Sequence, residues 1–582
     1  LDPISALFLA LIATVGGAGA CYSHGYWSDW ERPRSASWGR VWWSALVASL
    51  GWVVLAANGL QFLIGWELFA ICAFFLITLE NGPRAVRRAG WLYLAASHAG
   101  TVCLFAFFAL LADRLGTWDL GPVRDRPELA PLFWFAVAGF GVKAGMFPLH
   151  VWLPDAHASA PSHVSAILSG VAIKMGVYGL VRFSGWVPVP AAAGWVVIGV
   201  GAVSAVLGIA FALVQDDLKR LLAYCSVENI GVILVGVGAA LVGCAHGDSG
   251  AGWGRLALAG ALLHVWNHGL FKALLFLAAG SVLHATGTRE MSRLGGLWRA
   301  MPWTTACFAL GAVAVCALPP LNGFVSEWLI YLGLFDAVTA RGPIAWAATP
   351  AAILLGVAGA LALATFIKAG TVVFLGAART GRVSHAHECS GWMRTPMVVL
   401  AAVCVSLGLA PGQLGPVLGR AVDAWHPGWG ESAPAAPLGT LGGASALVGL
   451  CAVSAFALLF ARVRRNGLRR AGAWDCGYAA PSARMQYTGG SLGRLPARWF
   501  FWILQPQRRL RRPRGALAAE AMLVERHPET VLDFVLRPAA AGVLRVSTAV
   551  RRLQHGRIHA YIIYLLAGIA LLSLLALSGG RP

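Results

Sequence analysis

The chain has 582 residues, a mean hydropathy of +0.68, only 12% charged residues and a formal net charge of +20 at pH 7. Soluble domains run near a quarter charged, so this composition excludes a soluble enzyme and reads as a polytopic membrane protein. Its arginines recur in alternate loops, which assigns the positive charge to membrane orientation and not to a nucleic-acid partner.

Fourteen apolar windows follow in chain order, at 4–22, 41–58, 60–79, 86–112, 131–153, 161–182, 194–214, 219–242, 255–284, 302–338, 347–376, 396–415, 438–461 and 558–579. A helix needs about 20 apolar residues to span a bilayer. The window at 302–338 is too long for one straight helix, and Pro319-Pro320 divides it. Arginines cluster after the first, third, seventh, ninth, eleventh and thirteenth windows, for example Arg84, Arg87 and Arg88, or Arg462 to Arg470. These loops are assigned to the cytoplasm. The loop holding Asp155 and His157 is the exception. Leu1 and Pro582 then fall on the other side. Leu1 stands in an apolar helix with no Met before it and no signal-peptide pattern, so the sequence reads as an incomplete chain.

The expected organisation is an N-terminal helix and loop (1–40), two five-helix units (41–193 and 194–380), two further spans (381–470), a cytoplasmic-side amphipathic segment (471–557) and a last span (558–582). Eleven cysteines are scattered without a CxxC pair, so no disulfide framework, iron–sulfur motif or haem attachment is read, and no cofactor or metal is expected. HAHEC at 385–389 has metal-ligand residue types but no second ligand pair nearby, and reads as a solvated loop.

Lysine is the informative count. Of the 45 basic residues only five are lysine: Lys143, Lys174, Lys219, Lys272 and Lys368. All but Lys219, at a helix start, fall inside apolar windows. Arginine stays protonated, whereas a desolvated lysine loses its proton readily. A charge at the bilayer centre costs about 2.5–3.5 kcal/mol on insertion scales, and such residues mark ion paths. The intramembrane acids are Glu67, Glu228 and Glu327, and the histidines are His98, His264 and His268. His264, His268 and Lys272 are spaced i, i+4, i+8, along one helix face. This file suits proton hopping; its alternative is a metal site or a core polar network, and for the lysines as a set it is structural pairing with carboxylates.

Two helices are broken, at Pro148 in KAGMFP and at Pro319-Pro320 in CALPPLNG. Proline removes a backbone donor, and the freed carbonyls are tolerated in a membrane where they line a cavity or are buried in protein. Interrupted helices in two halves of a chain point to a transporter of inverted repeats. Five helices from residue 41 and five from 194 each include one break, and an odd number per unit reverses orientation. Lys143 and Glu327 are then quasi-equivalent charges near the breaks.

These residues resemble the antiporter-like proton-translocating subunits of complex I, Mrp antiporters and membrane-bound hydrogenases. The matching pieces are GWELFAICAFFLI, GVKAGMFPLHVWLPDAHASAPSHVSAIL, QDDLKRLLAYCSVENIG, HVWNHGLFKALLFLAAGSV and LPPLNGFVSEWLI. The resemblance implies an all-α fold of about 14 spans with two inverted repeats and a cytoplasmic-side lateral helix, and puts two family helices ahead of Leu1. It implies that Glu67 couples neighbouring subunits and pairs with Lys143, that Lys174, His264, His268 and Lys272 relay protons, and that Glu327 ends the path, with His98, Glu228 and Lys368 auxiliary. A contact pair of Lys143 and Glu67 is worth about 4 kcal/mol at an effective dielectric near 20.

WDCGYAAPSARMQYTGG at 474–490 and LQHGRIHAYIIYLL at 553–566 resemble the large membrane subunit of hydrogenase-4 and formate hydrogenlyase. That implies membrane subunits, lipid and a peripheral nickel–iron hydrogenase-like arm as partners, in a bacterial or archaeal cytoplasmic membrane. The rival readings are a complex I subunit, a sodium/proton antiporter and a non-conducting scaffold.

Overall fold

The computed structural model describes residues 1–340, 342–429, 436–467, 482–483, 485–512, 522–552 and 556–578. After α1 (Pro3–Tyr26) come α2 (Ala36–Leu55), α3 (Gly59–Ile77) and α4 (Arg84–Leu115). A broken helix follows, made of α5 (Phe133–Ala144) and α6 (Leu153–Ser159). Then α7 (Ser162–Ile167) runs through a π turn over Leu168–Ala172 into α8 (Ile173–Trp186). The second set repeats this plan: α9 (Ala193–Leu213), α10 (Leu218–Ala245), α11 (Asp248–Thr286), a broken helix of α12 (Pro302–Val315) and α13 (Asn322–Thr339), and α14 (Ala345–Phe374). The rest of the first compact unit, Leu1–Phe501, holds α15 (Gly381–Ser384), α16 (Gly391–Leu409), α17 (Gly415–Trp425), α18 (Leu438–Asn466) and α19 (Gly489–Trp499).

Capping chemistry sets several starts. Asp2 accepts the Ser5 N–H at 2.8 Å, Asn58 accepts the Leu60 N–H at 2.8 Å, and Asp217 accepts the Lys219 and Arg220 N–H groups at 2.9 and 3.1 Å. A short polar side chain there satisfies donors that have no partner within the helix.

Eleven of the described helices are long and apolar enough to cross a membrane. The other three of the fourteen expected windows take different forms. α2 carries Trp38, Trp42, Trp43 and Trp52, whose indoles lower its hydropathy. The windows at 131–153 and 302–338 are the two broken helices, whose halves are each too short or too polar to count.

Burial divides the helices by role. The apolar stretches of Ser162–Trp186 and Leu218–Ala245 are 100% and 94% enclosed by the rest of the chain, against 11% for α18. A helix enclosed on all sides positions its polar groups toward other helices, so the centre of this bundle is α7 to α11. Glycines permit the close approach: a Cβ on Gly231 of α10 would lie 2.4 Å from the Ala205 nitrogen of α9.

The second unit, Trp502–Pro582, departs from the all-α expectation. β1 (Gln507–Arg511) and β2 (Met522–Arg526) pair antiparallel, with Arg508 opposite Glu525 and their side chains 3.0 Å apart. A cross-strand ion pair supports this hairpin in place of the helix expected there. α20 (Arg537–Arg551) and α21 (Ile558–Ser578) follow. Most of the 474–490 motif, and residues 513–521 and 553–555, lie outside the described residues. The motif's described end docks on the loop after α14. There Gln486 exchanges hydrogen bonds of 3.1 and 2.9 Å with Ala377, and Arg379 donates to the Tyr487 carbonyl at 2.6 Å.

Candidate functional site

The first break makes the surroundings of Lys143. α5 stops because Gly145 turns the chain at φ +72°, where a Cβ would also lie 2.7 Å from the Leu153 side chain. Freed backbone groups are taken up by side chains. Trp152 Nε1 donates to the Val142 carbonyl at 2.9 Å, and the Phe147 N–H donates to Ser204 Oγ of α9 at 2.9 Å. Lys143, next to last in α5, is buried. Its Nζ donates to Ser97 Oγ at 3.0 Å and Tyr93 Oη at 3.3 Å, and lies 4.2 Å from the centre of the Phe69 ring. A hydroxyl pair and an aromatic face hold this cation.

Glu67 is not its direct partner, which corrects the expected ion pair. The Glu67 carboxylate accepts from Thr101 and lies 3.1 Å from His98 Nε2. Glu67 and His98 face the outside of the bundle, with side chains 29% and 51% exposed, whereas Lys143 points inward. One turn of α4 separates them, and it is polar: Thr101 Oγ1 lies 3.1 Å from the Ser97 carbonyl. Coulomb attraction falls with separation, so Glu67 acts on Lys143 through space and more weakly than a contact pair would.

The centre holds the remaining relay candidates. Lys174 follows the π turn and donates to the Ser169 carbonyl inside it, a carbonyl that the widened turn presents. Ser169 Oγ lies 2.8 Å from Ser226 Oγ of α10. His264, His268 and Lys272 all lie on α11 and are all fully buried. The two imidazoles are stacked with centres 6.1 Å apart. Lys272 Nζ donates to the Leu222 carbonyl at 3.0 Å. Neither ring nitrogen of His268 meets a protein partner among the described residues, and Lys174 and Lys272 act on it electrostatically. A buried imidazole in that condition is a place for water.

The second break is tied to this file by polar groups that the sequence reading overlooked. α12 ends at Val315, the chain passes Ala317 and Pro319-Pro320, and α13 begins at Asn322. His264 Nδ1 lies 2.9 Å from Ser326 Oγ of α13, and its Nε2 lies 3.2 Å from Asn229 Oδ1 of α10. Asn267 donates to the Asn322 carbonyl at 2.7 Å and to Ser326 at 3.0 Å, and Asn322 donates back to Asn267 at 3.1 Å. Asn229 also donates to Glu228, which Cys225 approaches at 3.2 Å. Beyond Glu228 the next acid is Glu327, within its electrostatic reach. Lys143 precedes its break whereas Glu327 follows its own, so the two are not in matching places.

Three further placements complete the site. His157 is not in a loop: it lies fully buried on α6, stacked 4.8 Å from the Phe276 ring, with Lys219, Lys272 and Lys174 acting on it. The end of α6 is held by cations, since Lys219 donates to the Ala160 carbonyl and Arg289 to the Ala158 carbonyl, while Arg220 pairs with Asp155 in its first turn. Lys368 caps the end of α9, donating to the Leu213 and Gln215 carbonyls at 2.6 and 2.7 Å. In HAHEC, Glu388 accepts the Trp303 and Thr304 N–H groups at 2.7 and 3.2 Å and the Thr304 hydroxyl at 2.6 Å, capping α12.

Residues 56–349 match the family described as NADH:quinone oxidoreductase/Mrp antiporter, TM. The chain belongs to this family. It is 33% identical over 605 residues to hydrogenase-4 component B of Escherichia coli (strain K12), covering 98% of this chain and 88% of that one. It is 36% identical over 430 residues to formate hydrogenlyase subunit 3 of the same organism, covering 72% and 68%. Among solved structures it resembles the Mrp complex from Dietzia sp. DQ12-45-1b, with a TM-score of 0.68 and 25% identity over 100% of this chain and 56% of that chain. It is accordingly a multi-pass, proton-translocating type of membrane subunit, and its partners include other membrane subunits.

Proposed function

We propose that this chain moves protons along Glu67, Lys143, Lys174, His268, His264, Lys272 and Glu327, as one subunit of a redox-driven complex of the hydrogenase-4 or formate hydrogenlyase type. The observation that carries this is the enclosed file on α11. Its lysine and two histidines are fully buried, and its hydrogen bonds run to both flanking helices. A structural core gains nothing from an imidazole without partners, because burying a polar group unpaired costs stability. A relay needs such a group.

The steps follow from charge and desolvation. Protonated Lys143 sits in its hydroxyl and aromatic cage, stabilised through α4 by Glu67. A charge change in a neighbouring subunit draws Glu67 and His98 away, since both face the outside of this chain. Lys143 is then a desolvated cation without support and releases its proton inward. Lys174, the two histidines and Lys272 receive it in turn, with Asn229 and Ser326 orienting His264, and the proton passes on toward Glu228 and Glu327.

The driving energy comes from partner subunits with a peripheral nickel–iron hydrogenase-like arm, in the cytoplasmic membrane of a bacterium or archaeon. The 88% coverage of hydrogenase-4 component B supports this reading over complex I. The test is to purify the complex through a tag on this chain and identify what accompanies it. Hydrogenase or formate dehydrogenase subunits are expected. A flavin-containing NADH-oxidising arm overturns the assignment in favour of complex I.

A further inference from the structure

The relay described above has no intake on the arginine-rich face. A cavity opens there. It has a volume of about 430 Å³ and lies between the end of α1, the 27–35 loop and the start of α2. Ser23, His24, Asp29 and Arg40 line its mouth, and Arg40 and Asp29 pair through hydrogen bonds of 3.0 and 2.9 Å. Its inner end reaches His163, the second residue of α7.

His163 is built into this position. It is 3% exposed, and three aromatic rings surround it, with Trp43 at 5.3 Å, Tyr26 at 5.9 Å and Trp27 at 6.3 Å between ring centres. Its Nδ1 is buried without a hydrogen-bond partner among the described residues. A histidine packed this way for shape alone is better replaced by phenylalanine, because an unpaired buried donor or acceptor costs about 1–3 kcal/mol. A cavity of this size and polarity holds water, which gives the ring a proton partner on its open side.

On the inner side the groups continue. Lys219 is the cation that acts on His163, and Lys219 is also the first of the cations that act on His157. His163 and Lys219 meet the same bend, since Lys219 holds the Ala160 carbonyl just ahead of Pro161. His157 in turn is acted on by Lys272 and Lys174, which belong to the central file.

We propose that the α1–α2 cavity is the proton intake of this subunit and that His163 is its first carrier. This rests on the proton-relay reading and adds a port to it. A proton from cavity water adds to one imidazole nitrogen, and the ring releases the proton on its other nitrogen inward. The neutral amine of Lys219 accepts it, becomes an ammonium, and returns to the amine on passing the proton to His157. Lys219 ends as it began, the His163 ring is left as its other tautomer and resets by turning over, and one proton has moved from the cavity to His157, on which Lys174 and Lys272 of the central file act.

The test uses the purified complex in liposomes, with a potassium diffusion potential as drive and a trapped pH-sensitive dye as readout. His163→Ala is expected to lower proton flux at least about tenfold, and imidazole added at the cavity face is expected to restore it. Rescue separates a carrier from a packing residue, since a small base replaces a proton acceptor and not a wedge between helices. Ala20→Phe, which fills the cavity and leaves His163 in place, is expected to slow flux as well, and it decides the matter if His163→Ala does not assemble. Wild-type flux in Ala20→Phe overturns the intake, and so does wild-type flux in His163→Ala. In either case a working wild-type complex leaves the relay standing. A wild-type complex that passes no protons removes the relay and the intake together.

Discussion

Ser97 Oγ meets Lys143 Nζ at 3.0 Å, so a hydroxyl of α4 and not the Glu67 carboxylate is the first partner of this buried amine. The acid acts through a turn of helix. Lys143 therefore keeps a neutral hydrogen-bond partner whatever the state of Glu67, and only the electrostatic support changes. That arrangement suits a group whose charge comes and goes, because neither state leaves the nitrogen without a partner.

Replacing Lys143 by Arg tests whether the charge has to leave. Arginine keeps the cation and cannot release its proton. The complex is expected to assemble and its proton movement to fall at least about tenfold. Vesicle assays that follow redox turnover and proton uptake together check this. If Lys143→Arg pumps as wild type and Lys143→Ala does not assemble, Lys143 is a structural cation.

Ser97 offers a finer test of the same contact. A hydrogen bond to a charged group is worth about 1.5–3 kcal/mol. Ser97→Ala removes it and is expected to lower proton flux severalfold with assembly intact, whereas Ser97→Thr keeps the hydroxyl and most of the flux. Equal flux in the two variants excludes a role for this bond.

The second break makes a parallel prediction. His264 is held between Asn229 at 3.2 Å and Ser326 at 2.9 Å, so both ring nitrogens are engaged and the ring is fixed in orientation. Asn229→Leu and Ser326→Ala are each expected to slow proton transfer, and the double variant to lose less than the product of the two single losses, because both act through one imidazole. Multiplicative losses in the same liposome flux assay would mean that the two residues act independently.

Lys368 separates a buried lysine that carries charge from one that closes a helix. Its two bonds go to the carbonyls at the end of α9, which have no partner within the helix. Lys368→Met is expected to lower the thermal stability of the purified complex and leave proton flux per assembled complex near wild type. A loss of flux at unchanged stability would move Lys368 into the relay.

Much of this was legible in the sequence, because membrane physics makes charge conspicuous. Four of the five lysines fall in apolar windows, and Pro148 and Pro319-Pro320 mark the breaks without any structure. The α11 file follows from its i, i+4, i+8 spacing. What stayed hidden is neutral or depends on packing. Ser97, Asn229, Asn267 and Ser326 carry no charge, and the sequence does not show that they meet Lys143 and His264 across helices. The Glu67–Lys143 contact that the resemblance implies is not made, because the rotation of α3 and α5 turns Glu67 outward and Lys143 inward. His157 was read as a loop residue because α6 is too short to give a period.

HAHEC is a loop with exposed histidines, as read, and its acid gives a prediction with a sign. Burial raises the Glu388 carboxyl pKa. Its hydrogen bonds, led by the Thr304 side chain and followed by the Cys389, Thr304 and Trp303 N–H groups, outweigh that and hold it below the usual carboxylate range. A pKa depressed in the folded state contributes stability that is present above the ordinary value near 4.5 and is lost as pH falls through the folded value. N-caps are worth about 0.5–2 kcal/mol. Glu388→Gln is therefore expected to lower the thermal stability of the complex at pH 7. The gap from wild type should narrow below about pH 4.5, where protonation leaves both proteins with a neutral side chain. Taking the difference between the two proteins at each pH removes the other carboxylates that titrate in the same range. A gap that is constant from pH 7 down to acid would show that the Glu388 charge contributes nothing to the cap, and that its hydrogen bonds to α12 are those of any neutral acceptor.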